Sequence, residues 1–213
     1  MEYMNQKNGK NSLGLDSCFE DLDNPIELFK NWFSKAEEKE INDPNAVAIA
    51  TSDKHNQPNV RMVLLKDLSD RGFVFYTNFN SKKGGELKIN LKASMCFHWK
   101  SLRRQVRVIG KVEEVTSKEA DDYYNSRPYK NRISAWASSQ SQILDKRETF
   151  LNKIKEYEKK YPDENNVPRP THWSGWRLLP DEIEFWVDGE GRIHERLNYK
   201  NSNGKWKKEI LYP

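Results

Sequence analysis

Five short runs between residues 46 and 116 constrain this chain more than anything else in it. Ala46–Thr51, Asn59–Lys66, Gly72–Asn78, Ala93–Trp99 and Arg103–Thr116 are rich in β-branched and aromatic residues and are divided by turn residues. The connections at Asp53–Pro58 and Asp67–Gly72 have hairpin length, which makes neighbouring runs antiparallel. Three further runs close the chain: Glu182–Val187, Arg192–Tyr199 and Trp206–Leu211. Asn203-Gly204 between the last two is a type I′ turn sequence. About eight short strands with helices inserted among them predict a mainly β fold, a closed or split antiparallel barrel with Greek-key-like connections. No GxGxxG follows a strand, which argues against a doubly wound dinucleotide fold.

The helices announce themselves by their caps. Asn24 precedes Pro25, and Ile26, Phe29, Trp32, Phe33 and Ala36 then repeat at helical spacing. Ser81 can cap a short helix running through Leu87 to Leu91, and Thr116 with Glu119 forms a capping box. A longer helix is expected from about Ser141 to Tyr161, with Phe150, Ile154, Tyr157 and Tyr161 on one face, followed by a loop from Pro162 to His172. Residues 1–23 are polar and aperiodic and read as a mobile arm; 24–213 read as a single domain. The N-terminal segment has no apolar stretch, so neither a signal peptide nor a membrane span is expected. Cys18 and Cys96 stand alone and read as reduced thiols of a cytoplasmic protein. The four histidines show no ligand spacing, so no metal is expected.

A net charge of +4 is too mild to mark a polyanion binder, yet several cations occupy strand-like runs where they should repel one another. Arg61 and Lys66 bracket Met62, Val63, Leu64 and Leu65. Arg192, His194 and Arg196 fall at i, i+2 and i+4, which in a strand would put them on one face, about 6.6 Å apart. Lys82 and Lys83 follow Ser81 at a helix start, where backbone amides and the helix dipole favour an anion. Gln140 and Ser141 offer neutral donors at another expected helix start, and Tyr123 and Arg127 are four apart on one helix face. Each has an ordinary alternative as a basic helix start or a solvated face. Together with the flat surfaces of Tyr76 and Trp186, they suit one phosphorylated aromatic cofactor and one small phosphorylated substrate. A nucleic-acid barrel with aromatic stacking platforms competes less well, because the cations form no single stripe.

Six stretches then resemble a known family in the right order: RMVLLK (61–66), GFVFYTNFNSKKG (72–84), RQVRVIGKVE (104–113), YYNSRP (123–128), AWAS-QS (135–141, one intervening Ser) and IEFWVDGEGRIHERLNY (183–199). NPIELFKNWFSKA (24–36) matches more loosely. The chain resembles the pyridoxine/pyridoxamine 5′-phosphate oxidases over nearly its whole length after the arm. The resemblance implies an FMN-binding split barrel that works as a homodimer, with sites between the subunits, no nucleic acid and no membrane. It implies oxidation of the phosphorylated pyridine amine or alcohol to pyridoxal 5′-phosphate, with molecular oxygen as acceptor and hydrogen peroxide as product. By the same resemblance FMN meets Arg61, Met62, Val63, Leu64, Leu65, Lys66, Tyr76, Thr77, Lys82, Lys83, Gln105, Gln140, Ser141, Trp186 and Arg196. The substrate meets Lys66, Tyr123, Arg127, Asn131, Arg192 and His194, with Arg192 and His194 as the catalytic pair.

Three positions depart from the pattern. Asn131 stands where the family usually has Ser, Ile210 where an arginine is common, and Glu2-Tyr3 lack the arginine that often precedes them. A flavin reductase or a cofactor-binding relative on the same barrel is the competing reading; the set Tyr123, Arg127, Arg192 and His194 distinguishes the oxidase.

Overall fold

A computed structural model describes residues 9–213 of the chain. Helix α1 (Pro25–Lys39) begins where Asn24 Oδ1 accepts a hydrogen bond from the Ile26 amide at 3.0 Å, with Pro25 in the first turn. Its apolar stripe lies in the concave face of a nine-stranded antiparallel sheet. Phe29 packs edge-on to Phe73 (4.9 Å) and Phe97 (5.0 Å), and Trp32 packs on Phe185 (5.1 Å). All five rings are buried, so α1 serves as the plug of a curled half-barrel.

The strands are β1 (Ala46–Ser52), β2 (Pro58–Leu64), β3 (Asp67–Ser69), β4 (Gly72–Asn78), β5 (Lys92–Trp99), β6 (Arg104–Glu114), β7 (Trp173–Val187), β8 (Glu195–Ser202) and β9 (Lys205–Leu211). They run in the order β2-β1-β5-β6-β7-β4-β3, with β8 also on β7 and β9 on β8. This is the expected split barrel. The organising strand is β7, whose first half pairs with β4 and whose second half pairs with β8, while β6 lies along the other side of both. The β6–β7 register shifts between Ile109 and Gly110, opposite Pro180. A Cβ on Gly110 would lie 2.0 Å from the Leu179 carbonyl oxygen, so glycine is what lets the two backbones close at this bend.

Helices α2 (Lys82–Ile89), α3 (Ser117–Ser126), α4 (Tyr129–Ala137) and α5 (Arg147–Lys160) complete the fold. Ser81 caps α2, and the Thr116–Glu119 capping box opens α3, both as the sequence predicts. Among the described residues, no helix is long and apolar enough to cross a membrane.

Three expectations need correction. Residues 10–22 are seated on the domain and are not a free arm. Phe19 is fully buried against Trp32, the Trp32 indole donates to Cys18 O (2.7 Å), and the Tyr199 hydroxyl donates to Leu22 O (2.8 Å). Their anchoring residues, Leu15, Phe19 and Leu22, sit in a segment of turns and bends without helix or strand, among Gly14, Asp16, Ser17, Asp21 and Asp23, a composition that reads as polar coil. The remainder of the expected arm, including Glu2-Tyr3, lies outside the described residues. The helix placed at Ser141 begins at Arg147; Ser141 has φ 72°, a left-handed backbone that no helix continues through. Finally, Arg192, His194 and Arg196 do not share a strand. Glu190–Arg192 form one 3-10 turn, Arg192 has φ 65°, and β8 starts only at Glu195.

Candidate active site

A cleft of about 420 Å³ opens between the end of β2, β4, the start of α2, and the α3–α4 pair. One end is an anion seat. Ser81 Oγ donates to Asn78 O (2.6 Å) and accepts from the Gly84 amide (3.3 Å), which fixes the first turn of α2. That turn carries Lys82 and Lys83 and no acid, so two cations sit at the positive end of the helix dipole. Such an arrangement is unfavourable unless an anion joins it. Gly84 is required here, because a Cβ would lie 2.4 Å from the Phe79 carbonyl oxygen. Lys83 Nζ donates to Thr77 Oγ1 (2.9 Å) and Gln140 Oε1 (3.0 Å). Burial, and then the nearby Arg61 guanidinium, bring its pKa down to about 8. Arg61 is itself held by buried Glu86, Nη2 to Oε2 at 3.1 Å. Burial pushes the Glu86 carboxyl up, but hydrogen bonds from Thr51, Asn59 and Arg61 outweigh it and hold the group below the usual range.

The other end is aromatic and also cationic. Tyr76, Tyr123 and Trp173 form a cluster of near-parallel rings, Tyr76 lying 4.1 Å from Tyr123 (planes at 19°) and 5.4 Å from Trp173 (6°), with Tyr123 6.1 Å from Trp173. The Arg127 guanidinium lies 4.7 Å over the Trp173 ring, and its buried Nη1 has no hydrogen-bond partner among the described residues. Burial lowers the Arg127 pKa. A buried charged donor without a partner is costly, and an anion beside Trp173 would satisfy it. Both Tyr123 and Arg127 are positioned by α3, which buried Arg177 ties to the sheet through Glu119 Oε1 (2.5 Å) and Glu113 Oε1 (3.3 Å). The Glu119 carboxyl is lowered to about 2, first by the Thr116 amide and then by Arg177.

Of the residues expected from sequence, Met62, Val63, Leu64, Lys66, Tyr76, Thr77, Lys83, Tyr123, Arg127 and Gln140 line this cleft. Arg61 stands just behind Lys83, Lys82 is exposed beside it, and Leu65 is turned into the core. Ser141 and Asn131 are exposed and not part of the lining. Trp173, Ser134, Ala135, Ser138, Asn78 and Phe150 line it without having been singled out. Ser134, Ala135 and Ser138 recur at helical spacing within or beside the AWAS stretch, which was the available signal.

Gln105, Trp186 and Arg196 form a separate group on the convex side of β6, β7 and β8, with His194 against it and Arg192 in the 3-10 turn that precedes β8. Gln105 and Arg196 flank Trp186 in register, and the His194 ring lies 4.7 Å from that indole. The Gly189 amide donates to His194 Nδ1 (3.1 Å). Arg196 and Arg107 both grip buried Glu184, at 2.8 and 3.0 Å, and Arg192 is exposed. Within one chain none of these five residues lines the cleft.

A split antiparallel barrel with a basic, aromatic cleft at its rim places the chain among the split-barrel proteins. The fold is shared with a pyridoxamine 5′-phosphate oxidase-related, FMN-binding protein from Nostoc punctiforme, at TM-score 0.70 and 16% identity, over 87% of this chain and 97% of that one. PhzG from Burkholderia lata superposes with a TM-score of 0.87 at 29% identity, over 96% of this chain and 100% of that one. Residues 33–161 match the family described as pyridoxamine 5′-phosphate oxidase, and residues 173–213 match the pyridoxine 5′-phosphate oxidase C-terminal dimerisation region. The chain is 61% identical over 207 residues to the pyridoxine/pyridoxamine 5′-phosphate oxidase of Pelagibacter ubique, covering 97% of this chain and 100% of that one. It is 52% identical over 199 residues to the Agrobacterium fabrum enzyme of the same name, covering 92% and 96%. The chain belongs to the pyridoxamine 5′-phosphate oxidase family.

Proposed function

We propose that the chain oxidises pyridoxamine 5′-phosphate and pyridoxine 5′-phosphate to pyridoxal 5′-phosphate, using FMN and molecular oxygen. The observation that carries this reading is the presence of two distinct anion seats in one aromatic cleft. One is the Lys82-Lys83 helix start backed by Arg61; the other is the unpaired guanidinium of Arg127 over Trp173. A phosphorylated cofactor and a phosphorylated substrate bound side by side need two such seats.

The donor set of the first seat fits FMN. Lys83, Lys82, Arg61 and the α2 amides would hold its phosphate, and Gln140 and Thr77 would orient Lys83 toward it. FMN bound there would supply a two-electron acceptor, with molecular oxygen as the final oxidant and hydrogen peroxide as its product. Lys66, Tyr123 and Arg127 hold the substrate phosphate and so fix the distance of the reacting carbon from the flavin seat. That carbon bears the amine or alcohol and gives up a hydride equivalent; from the amine, hydrolysis of the resulting imine releases ammonia. Arg192 clamps the pyridine ring and assists proton removal, and His194 orients it.

Since the Arg192 group lies apart from the cleft in one chain, this reading requires a homodimer in which each copy offers its convex face to the other's cleft. The outward face of β2 supports that arrangement. Val60, Met62 and Leu64 alternate along it as exposed apolar residues, beside Ala46, Ala48 and Ala50 of β1.

The test is purification from a flavin-replete host. The protein should be a yellow dimer by light scattering, carry about one FMN per chain, and yield hydrogen peroxide and pyridoxal 5′-phosphate in equal amounts. Colourless protein that FMN cannot reconstitute would rule the reading out. Flavin-loaded protein without turnover of either substrate would instead support the reductase alternative.

A further inference from the structure

We propose that the hydroxyl of Ser134 determines specificity for the substrate's phosphate, supplying beside Arg127 the neutral donor that the family pattern assigns to position 131. The inference deepens the oxidase reading and rests on it.

The chain passes directly from Arg127, which caps α3, through Pro128 into α4. Ser134 and Ala135 of α4, with its C-cap residue Ser138, face the cleft. Asn131 lies on the same side of the helix but three residues, about 4.5 Å, nearer its start. There it is exposed and absent from the lining. Its backbone is fully engaged, the amide donating to Pro128 O (2.9 Å) and the carbonyl accepting from Ser134 Oγ (3.0 Å).

That last bond is a local side-chain-to-backbone bond of serine, made to a carbonyl three residues back in the same helix. The hydroxyl can rotate out of it at the cost of one neutral hydrogen bond. In exchange it gains a bond to an ionised phosphate oxygen, which is the stronger of the two. A phosphate monoester presents three acceptor oxygens. Arg127, Lys66, Tyr123 and Ser134 all line the cleft, and Ala135, the neighbour of Ser134, packs in one cluster with Trp173, over whose ring Arg127 lies with Nη1 unpartnered. Position 131 has lost the short hydroxyl of the family pattern, and this chain carries one three residues deeper.

The experiment compares FMN-loaded wild type, Ser134→Ala and Asn131→Ala. KM and kcat are measured for pyridoxamine 5′-phosphate, and calorimetric affinities for pyridoxal 5′-phosphate and unphosphorylated pyridoxal. Flavin absorbance and circular dichroism establish that each variant is folded. For Ser134→Ala, KM and Kd for the phosphorylated ligands should rise about tenfold, with kcat within about twofold of wild type. Pyridoxal affinity should hold, and Asn131→Ala should show the smaller loss. Unchanged phosphate-ligand affinity in Ser134→Ala, equal losses for both ligands, or a larger loss in Asn131→Ala would each overturn the proposal. If wild type binds pyridoxal 5′-phosphate but turns over no substrate, the oxidase reading fails while the affinities still decide the role of Ser134. If wild type binds no phosphorylated pyridine, both fall.

Discussion

Replacing Lys83 with methionine keeps the length and most of the volume of the side chain and removes only its charge and donors. The ammonium group sits 2.9 Å from Thr77 Oγ1 and 3.0 Å from Gln140 Oε1, so it is already aimed and loses little freedom when a phosphate arrives. A hydrogen bond to a charged group contributes about 1.5–3 kcal/mol, which corresponds to roughly 10- to 150-fold in affinity. Lys83→Met should weaken FMN binding by about that factor and leave riboflavin, which has no phosphate, nearly unaffected. Titrating apoprotein with each flavin and following fluorescence quenching measures both constants. The pH dependence provides a second, independent readout. Burial and Arg61 hold the Lys83 pKa near 8 in the free protein, so the ammonium form dominates below that value and the neutral amine above it. A bound phosphate favours the charged form, so wild type's preference for FMN over riboflavin should decline as pH rises through about 8. In Lys83→Met this decline should vanish. Equal losses for FMN and riboflavin, or a wild-type preference that is flat across this range, would refute the assignment of Lys83 to the phosphate.

Gly84→Ala would drive a Cβ to 2.4 Å from the Phe79 carbonyl oxygen, whereas nothing lies within 4 Å of a Cβ at Gly85. The first substitution should cost about 1–3 kcal/mol, roughly 3–10 °C in Tm, together with FMN affinity; Gly85→Ala should preserve both. Calorimetric melting and flavin titration of the two variants check this. Glu119 is lowered from 4.5 to about 2 by the Thr116 amide and Arg177. A depressed carboxylate contributes stability that is complete above about pH 4.5 and is lost as pH falls toward 2. Glu119→Gln should therefore flatten the acid-side stability curve. It should also raise KM for the phosphorylated substrate through the loosened α3, with flavin retained. Parallel acid-unfolding curves for wild type and variant would count against this role.

What could be read from sequence was what is decided locally. Asn24-Pro25, Ser81 and the Thr116–Glu119 box each settle a helix start within one turn. Asn203-Gly204 settles its hairpin because both residues take positive φ, 53° and 80°. The first half of β7 could not be read in that way. Trp173 to Leu178 are buried on both faces, so the run has no alternation, and Gly175 and Pro180 interrupt it. The left-handed backbone of Arg192 was equally hidden, since its i, i+2, i+4 spacing with His194 and Arg196 assumes an extended strand. Residue spacing alone located the Ser81–Lys83 seat and the Tyr123–Arg127 pair. Lys66, Tyr76 and Gln140 were also legible from residue type and position, and the family resemblance added Met62, Val63, Leu64 and Thr77 as contacts. That they meet depends on long-range pairing such as Tyr76 with Gly175, for which no local pattern exists.

The long strand β7 also dictates the order in which the protein can be assembled. Its Arg177 pairs with Val74, about a hundred residues earlier, and its Val187 pairs with Glu195, only a short turn later. While the chain is being synthesised, β4 and β6 emerge first and then wait through the whole α3–α5 excursion for the strand that lies between them. During that interval Phe73, Phe75, Val106 and Val108 belong to strands with open edges, the condition under which nascent β-proteins are most prone to pair with the wrong neighbour. The α1 plug is available from the start, because Phe29 and Trp32 precede every strand. It can gather the apolar faces of β4 and β5 early, but its contact with Phe185 must wait for β7. Joining β4 to β6 therefore waits for β7 and closes a loop of about a hundred residues, a non-local pairing of the kind that forms slowly.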